Sequence, residues 1–109
     1  MMIEIVKSKI HRVTVTGSNL DYMGSISIDP KLLEASNIIP GEKVQVLSAL
    51  DGARLETYVI EGERDSGQII INGPAAWKIK EGAIVIIISY ILINIDDAKN
   101  YQPKIVFPN

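Results

Sequence analysis

AIVIIISYILINI, residues 83–95, is the most apolar stretch of this 109-residue chain and decides its fold class. Its 13 residues fall short of the roughly 18 that a membrane-spanning helix requires. Isoleucine and valine dominate the stretch, and β-branched side chains fit a pleated sheet better than a helix. The segment therefore predicts a long buried strand and a sheet-based domain.

Further strands are predicted on the N-terminal side of this segment, separated by turn residues. One long strand or two consecutive ones fit MIEIVKSKIHRVTVT (2–16), and shorter strands fit GSISI (24–28), KVQVLSA (43–49), RLETYVIEG (54–62) and QIIIN (68–72). The Asp51-Gly52 pair between two of them is a strong hairpin signal. Together they predict a small β-rich barrel.

Helices are predicted to be few and short. Asp29 is placed as an N-cap and Pro30 as the first residue of a helix that ends before the Pro40-Gly41 turn. A short helical segment is expected within residues 72–82 and another at 96–101. Because no linker or repeat divides the chain, these elements predict one mainly β domain with short helices.

Composition excludes several classes of function. The formal net charge of −2, with no run of lysine or arginine, lacks the electrostatic footprint of a nucleic-acid-binding protein. Without cysteine there is no disulfide framework, thiolate nucleophile or thiolate metal site, and the single His11 cannot build a multi-histidine site. Glu4 and two lysines interrupt the N-terminal apolar pattern, which is unlike a signal peptide and predicts a cytoplasmic protein that does not enter a membrane. The apolar composition of so small a domain predicts association with further subunits.

Few residues are suited to chemistry. There is no Gly-x-Ser-x-Gly elbow and no glycine-rich phosphate loop. Strand alternation places Lys7, Lys9 and His11 on one face as a cationic ridge that an anion would fit, although a solvated strand face is the simpler interpretation. The same period puts Arg54 and Tyr58 on one side of their strand, a combination that suits a bound carboxylate.

Several short motifs occur together at spacings that extend from the N-terminus to about Tyr101. They are Lys9-Ile10-His11-Arg12-Val13, Tyr22-x-Gly24-Ser25, Ile28-Asp29, Arg54 with Thr57-Tyr58, Asn72-Gly73 and Gly82-x-Ile84-Val85-Ile86. In this combination the chain closely resembles the pyruvoyl-dependent aspartate 1-decarboxylase family. The resemblance implies a double-psi β-barrel, a homotetramer, and conversion of L-aspartate to β-alanine and carbon dioxide, which feeds pantothenate and coenzyme A synthesis.

The resemblance also implies how the chain makes its own cofactor, with no metal and no pyridoxal phosphate. Ser25 Oγ attacks the Gly24 carbonyl to give an ester, elimination leaves dehydroalanine, and hydrolysis yields a pyruvoyl group. The zymogen thus becomes a β chain, residues 1–24, and an α chain, residues 25–109. Glycine is expected at position 24 because it has no Cβ to obstruct the attack and tolerates strained backbone angles. Whether a further protein assists maturation is left open.

Roles for the remaining site residues follow from the same resemblance. The pyruvoyl ketone forms a Schiff base with aspartate, Tyr58 protonates the product carbon, and Lys9 and Arg54 bind the substrate carboxylates. Thr57 supports cleavage and contacts substrate, although strict alternation turns it away from Tyr58. A β-bulge or a site shared between subunits would reconcile the two, and we favour the shared site.

Supporting residues complete this set of expectations. Asn72 holds Tyr22 or the pyruvoyl region, His11 shapes the pocket, Ile86 supports it, and the Gly73-Pro74-Ala75 segment contacts substrate. Since Pro74 has no backbone N–H, those contacts are expected from Gly73 or Ala75.

Three positions depart from the common family pattern, namely Met23, Leu47 and Pro74. The alternative to the enzyme is a non-catalytic double-psi barrel that acts as a small-ligand binding or assembly module.

Overall fold

The computed structural model describes residues 1–108, and strands are its commonest secondary structure. In chain order the elements are β1 Met2–Thr14, β2 Gly17–Asn19, β3 Ser25–Ile28, α1 Pro30–Ser36, β4 Lys43–Ser48, β5 Arg54–Glu61, β6 Ile69–Asn72, a 3-10 helix Gly73–Trp77, β7 Ile84–Asn94, α2 Ile95–Ala98 and β8 Lys104–Val106. Within that range no helix is long and apolar enough to cross a bilayer. The predicted mainly β fold with short helices is confirmed.

The strands form one sheet in the order β2-β6-β3-β5-β4-β7-β1-β8. Its longest ladder is the antiparallel pairing of β1 with β7, from Met2 opposite Asn94 to Thr14 opposite Ile84. Just beyond β1, the backbone N–H of Thr16 donates to the Ile69 carbonyl at 2.8 Å, which returns the chain to β6 near the other edge of the sheet. This closure produces the barrel that the double-psi topology requires.

The core fills the barrel from alternate positions of the strands. Its fully buried members are mostly isoleucine and valine, among them Ile10, Ile26, Ile28, Val44, Val46, Val59, Ile69, Ile71, Val85 and Ile87. Neighbouring residues on the same strands face outward, as the two-residue period of a strand demands. The outward faces therefore carry the side chains available for function.

The buried strand predicted at residues 83–95 is confirmed for its first half only. Val85, Ile87 and Ser89 are buried, whereas Leu92 is 67% exposed and lies opposite Glu4 of β1. The N-terminal half of β1, residues 2–6, and the C-terminal half of β7, residues 90–94, thus pair with each other. We call this part of the ladder the apolar ribbon; it lies at one end of an elongated molecule of 43 × 26 × 24 Å. An apolar ribbon of this kind is the surface expected of a subunit that associates with others.

The helix predicted after Asp29 is confirmed. The Asp29 carboxylate accepts a hydrogen bond from the Lys31 N–H at 2.9 Å, and Pro30 is the first helical residue. Gly67 N–H also donates to this carboxylate, at 2.9 Å. These backbone donors, with Lys31 first, hold the pKa of Asp29 below its ordinary value.

Helix α2 begins one residue earlier than predicted and ends three residues sooner. It begins at Ile95 because the side chain of Asn94 supplies the cap, accepting from the Asp96 N–H at 2.9 Å. The sequence patterns also missed β2 and β8, which have three residues each and no usable alternation.

The expected ridge of Lys7, Lys9 and His11 is wrong. The β1–β7 register shifts between Val6 and Ser8, so Lys7 is an extra residue that falls out of the alternation. Its ammonium instead forms a salt bridge to Glu42 at 2.8 Å and donates to the Asn37 carbonyl. Lys7 is thereby neutralised, while Lys9 and His11 remain on the outward face of β1.

Candidate active site

The Gly24-Ser25 pair lies where a turn enters β3, and Ser25 is its first strand residue. Ser25 is 2% exposed, and its hydroxyl donates to the Met23 carbonyl at 3.1 Å. The same oxygen accepts a hydrogen bond from Asn72 Nδ2 at 3.0 Å. A buried hydroxyl held from two sides has a defined orientation next to the peptide bond that precedes it.

Asn72 faces Ser25 directly across the antiparallel β3–β6 ladder. Its amide donates to Ser27 Oγ as well, also at 3.0 Å. Of the two partners expected for Asn72, the structure therefore places its side chain against the Ser25 region and not against Tyr22. The Tyr22 ring is exposed and borders a groove of about 560 Å³ that Ser27 and Asn72 also line.

Gly24 differs from its expected description. Its φ lies outside the left-handed region, and a Cβ at this position would meet no atom within 4 Å apart from its chain neighbours. A left-handed φ, the form of backbone strain that would favour glycine, is therefore absent at Gly24. The expectation that a Cβ would obstruct Ser25 itself stays a prediction.

Crowding occurs instead at Gly73, the first residue of the 3-10 helix. Gly73 has a φ of +76°, and a Cβ there would lie 2.8 Å from Gly24 Cα. Pro74 is exposed and Ala75 half-buried on the same helix. The Gly73-Pro74-Ala75 segment therefore starts against the backbone of Gly24 and leads outward from it.

Tyr58 lies on the strand beside Ser25. In the parallel β3–β5 ladder Ile26 pairs with Val59, so the preceding residues, Ser25 and Tyr58, are level on the face opposite the core. The Tyr58 ring is 39% exposed, and no hydrogen bond within residues 1–108 engages its hydroxyl. This free phenol is available to a molecule bound next to residue 25.

Thr57 turns toward the barrel, away from Tyr58. The β4–β5 ladder runs from Lys43 opposite Tyr58 to Leu47 opposite Arg54 with no register shift. A bulge therefore does not reconcile Thr57 with Tyr58, and the shared site remains as the explanation that we favour.

A second group of candidates lies together on the outward face of the sheet. Arg54 pairs with Leu47, Leu47 with Ile86, and Ile86 with His11, which sets these four residues in one row across β5, β4, β7 and β1. Lys9 lies two residues from His11 on the same face. We call Lys9, His11, Leu47, Arg54 and Ile86 the cationic face.

The charges of this face are available to a ligand. No carboxylate within residues 1–108 forms a salt bridge with Lys9 or Arg54. Among the described residues, Arg54 Nη1 donates to the neutral Gln45 Oε1, at 2.6 Å, and to no carboxylate. The nearby Glu56 interacts with the Gln45 amide and with Lys43 instead. These two partners, Gln45 first, lower the pKa of the Glu56 carboxyl.

The cationic face and the cleavage pair are apart within one chain. In the sheet order β5, β4 and β7 separate β3 from β1. Arg54 precedes Tyr58 by four residues, or about 13 Å of strand. A single chain thus presents two separate groups of candidate residues, which we call the two candidate half-sites: Ser25, Tyr58 and Asn72 in one, and the cationic face in the other.

Comparison with known proteins identifies the family. A family model described as aspartate decarboxylase matches residues 1–109. The chain belongs to this family. Among its relatives, the aspartate 1-decarboxylase of Flavobacterium psychrophilum is 58% identical over 100% of this chain and 94% of its own length. Those of Christiangramia forsetii and Bacteroides thetaiotaomicron are 55% and 54% identical over 100% of this chain and 94% and 93% of their own lengths.

The residues around position 25 fit the pyruvoyl group of the aspartate decarboxylase family. Position 25 is buried. The Asn72 amide lies within hydrogen-bonding range of the Ser25 hydroxyl and also of the Ser27 hydroxyl. Such donors suit a carbonyl-bearing residue held away from water. Within the described residues, no group of three His, Cys, Asp or Glu side chains is arranged to hold a metal ion.

Three further residues that contact the candidate site residues escaped the sequence patterns. Ser27 shares the Asn72 amide, Gln45 holds Arg54, and the Phe107 ring meets His11 edge-on at a centroid distance of 5.5 Å. Ser27 and Gln45 could have been found from their positions two residues from Ser25 and Leu47 on the same faces. Phe107 had no such signal, because β8 was not predicted.

A second cavity, of about 520 Å³, is lined by residues that include Arg12, Leu50 and Lys80. None of the candidate site residues borders it.

Proposed function

We propose that this chain is a self-processing aspartate 1-decarboxylase that converts L-aspartate to β-alanine and carbon dioxide for pantothenate and coenzyme A synthesis. The observation that carries the proposal is a buried Ser25 hydroxyl, fixed by Asn72 at 3.0 Å directly after Gly24, in a chain that matches the family over its whole length.

Self-cleavage needs no group from outside the chain except water. Ser25 Oγ adds to the Gly24 carbonyl carbon, the C–N bond to Ser25 breaks, and the hydroxyl proton ends on the freed nitrogen. Loss of the Ser25 Cα proton then breaks the Cβ–O bond, which leaves a Gly24 carboxylate and dehydroalanine. Water replaces the nitrogen, which departs as ammonia, and residue 25 becomes a pyruvoyl group. The products are residues 1–24 and 25–109.

A pyruvoyl group supplies an electron sink for the pair left behind as carbon dioxide departs. The chain's own residues do the rest. Asn72 and Ser27 would hold residue 25 in place, and Tyr58, level with it on the neighbouring strand, would deliver a proton to the product carbon. Thr57 would support cleavage and contact substrate through the site shared with a second copy of the chain.

Aspartate carries two carboxylates, and burying them without partners would be prohibitive. Arg54 can bind one carboxylate through two parallel hydrogen bonds, and the Lys9 ammonium can bind the other as a point charge. His11, Ile86 and the 73–75 segment would shape the pocket.

The two half-sites of one chain would be joined by a second copy. A neighbour that lays its cationic face over Ser25 and Tyr58 would supply the charges that this half-site lacks. The apolar ribbon of β1 and β7 offers further area for assembly, and we propose a homotetramer in the cytoplasm. Native mass spectrometry tests the tetramer, and a tetramer in which Lys9→Ala and Ser25→Ala protomers complement each other would support the shared site.

Denaturing mass spectrometry tests the proposed function. The native protein should show two fragments split between Gly24 and Ser25, the larger with a ketone at its N-terminus, and should release β-alanine from aspartate. Ser25→Ala should assemble, remain one 12.0 kDa chain and produce no β-alanine. An intact native chain without turnover, even after prolonged warming, would favour the non-catalytic binding or assembly module. Turnover by Ser25→Ala would contradict the pyruvoyl scheme.

A further inference from the structure

Gly73 stands in an unusual relation to the bond that is to be cut. Its φ of +76° lies in the left-handed region, which favours glycine. A Cβ on residue 73 would also lie 2.8 Å from Gly24 Cα, 2.9 Å from Gly24 N and 3.1 Å from the Tyr22 carbonyl oxygen. All three atoms are backbone, so none can swing aside as a side-chain tip would.

The lack of space for a Cβ is found at Gly73 and not at Gly24. At Gly24 a Cβ would meet no atom within 4 Å beyond its chain neighbours. Asn72 fixes the Ser25 hydroxyl from one side at 3.0 Å, and the next residue, Gly73, packs on the Gly24 backbone. Two consecutive residues at the end of β6 therefore hold both reacting partners, the nucleophile and the residue that carries its target carbonyl.

We infer that Gly73 is a positioning residue for self-cleavage, which sets the Gly24 carbonyl within reach of Ser25 Oγ through direct backbone contact. The inference rests on the proposed function and assigns to Gly73 a step that precedes substrate binding. An alanine would have to push Gly24 Cα from 2.8 Å to an ordinary contact of at least 3.4 Å, a shift of 0.6 Å. Because misplacement of a reacting group by about 1 Å can slow a reaction by about 10²-fold, this shift should slow cleavage at least about tenfold.

Gly52 provides a matched control. It has the same φ of +76°, but a Cβ there would meet no atom within 4 Å. Gly52→Ala therefore carries the backbone strain of Gly73→Ala without the contact.

The experiment follows splitting of freshly purified wild type, Gly73→Ala and Gly52→Ala by denaturing mass spectrometry over time. A parallel incubation with hydroxylamine traps the ester formed by the first attack. We expect the rates of both spontaneous and hydroxylamine-dependent splitting to be at least about tenfold lower in Gly73→Ala than in wild type. Gly52→Ala should split at the wild-type rate. Each substitution is also made in a Ser25→Ala background, where thermal unfolding reports whether the uncut chain folds.

Four outcomes would overturn the inference. They are wild-type splitting by Gly73→Ala, equal slowing of both variants, hydroxylamine-dependent splitting that persists in Gly73→Ala, and failure of only the Gly73→Ala/Ser25→Ala chain to fold. The last would make Gly73 a requirement of the fold. An uncut wild type would instead sink the proposed function, so the two failures are distinguishable.

Discussion

The substitution Tyr58→Phe, which removes only the phenol oxygen, should lower catalytic turnover without changing stability or self-cleavage. The Tyr58 ring is 39% exposed, and its hydroxyl bonds to nothing within residues 1–108. Tyr58→Phe should therefore change the free energy of unfolding by less than about 0.5 kcal/mol and the melting temperature by less than about 4 °C. Splitting should be complete, because Tyr58 takes no part in the attack by Ser25.

Turnover should fall steeply. General acid catalysis contributes about 10²- to 10⁴-fold, so kcat for β-alanine formation should drop by that factor, or about 2.7 to 5.5 kcal/mol in activation free energy. The assay uses protein shown by mass spectrometry to be fully split. Tyr101→Phe is the control, since Tyr101 lies outside the candidate site and no hydrogen bond within residues 1–108 engages its hydroxyl. A split Tyr58→Phe enzyme that kept more than about a tenth of kcat would refute the assignment.

Three more changes probe the half-sites and their support. Arg54→Ala should raise KM by about 10- to 150-fold through loss of a charge-assisted hydrogen bond. Arg54→Lys should raise KM nearly as much, because lysine cannot form the bidentate pair with a carboxylate. Unchanged KM values in steady-state kinetics would count against carboxylate binding by Arg54. In an uncut Ser25→Ala background, Asn72→Ala and Ser27→Ala should each lower the free energy of unfolding by about 1 to 3 kcal/mol, with the double variant losing less than the sum. Strictly additive losses in urea titrations at one protein concentration would contradict their shared hydrogen bond. Backbone donors lower the pKa of Asp29, so its contribution is complete above its ordinary value of 3.8 and is lost as pH falls below it. Asp29→Asn should accordingly melt below wild type at neutral pH, with a gap that closes in acid; a gap independent of pH would disprove the linkage.

Local patterns were sufficient for most of the fold. Alternation located β4 and β5, the isoleucine run of QIIIN located β6, the Asp51-Gly52 pair marked the hairpin, and Asp29 with Pro30 fixed the start of α1. The misses have tertiary causes. The extra residue at Lys7 is visible only in the register of β1 against β7, and β8 exists because β1 offers it a parallel edge.

The candidate site was predictable by residue type but not by arrangement. The resemblance to a family gave Ser25, Tyr58, Lys9 and Arg54, yet no periodicity could show that they divide into two half-sites. That division depends on strand order. The crowding at Gly73 is likewise a contact between segments about 50 residues apart, which only the folded chain reveals.

Cutting the chain after Gly24 would leave β1 and β2 on a separate polypeptide from the other strands. The β1–β7 ladder would then become an association between two molecules, sustained by 11 residue pairs and no covalent link. Recovery of the mature protein from denaturant should slow on dilution, because the short piece must find its partner by diffusion. The uncut Ser25→Ala chain carries both parts on one backbone, so this step within its barrel would not slow on dilution.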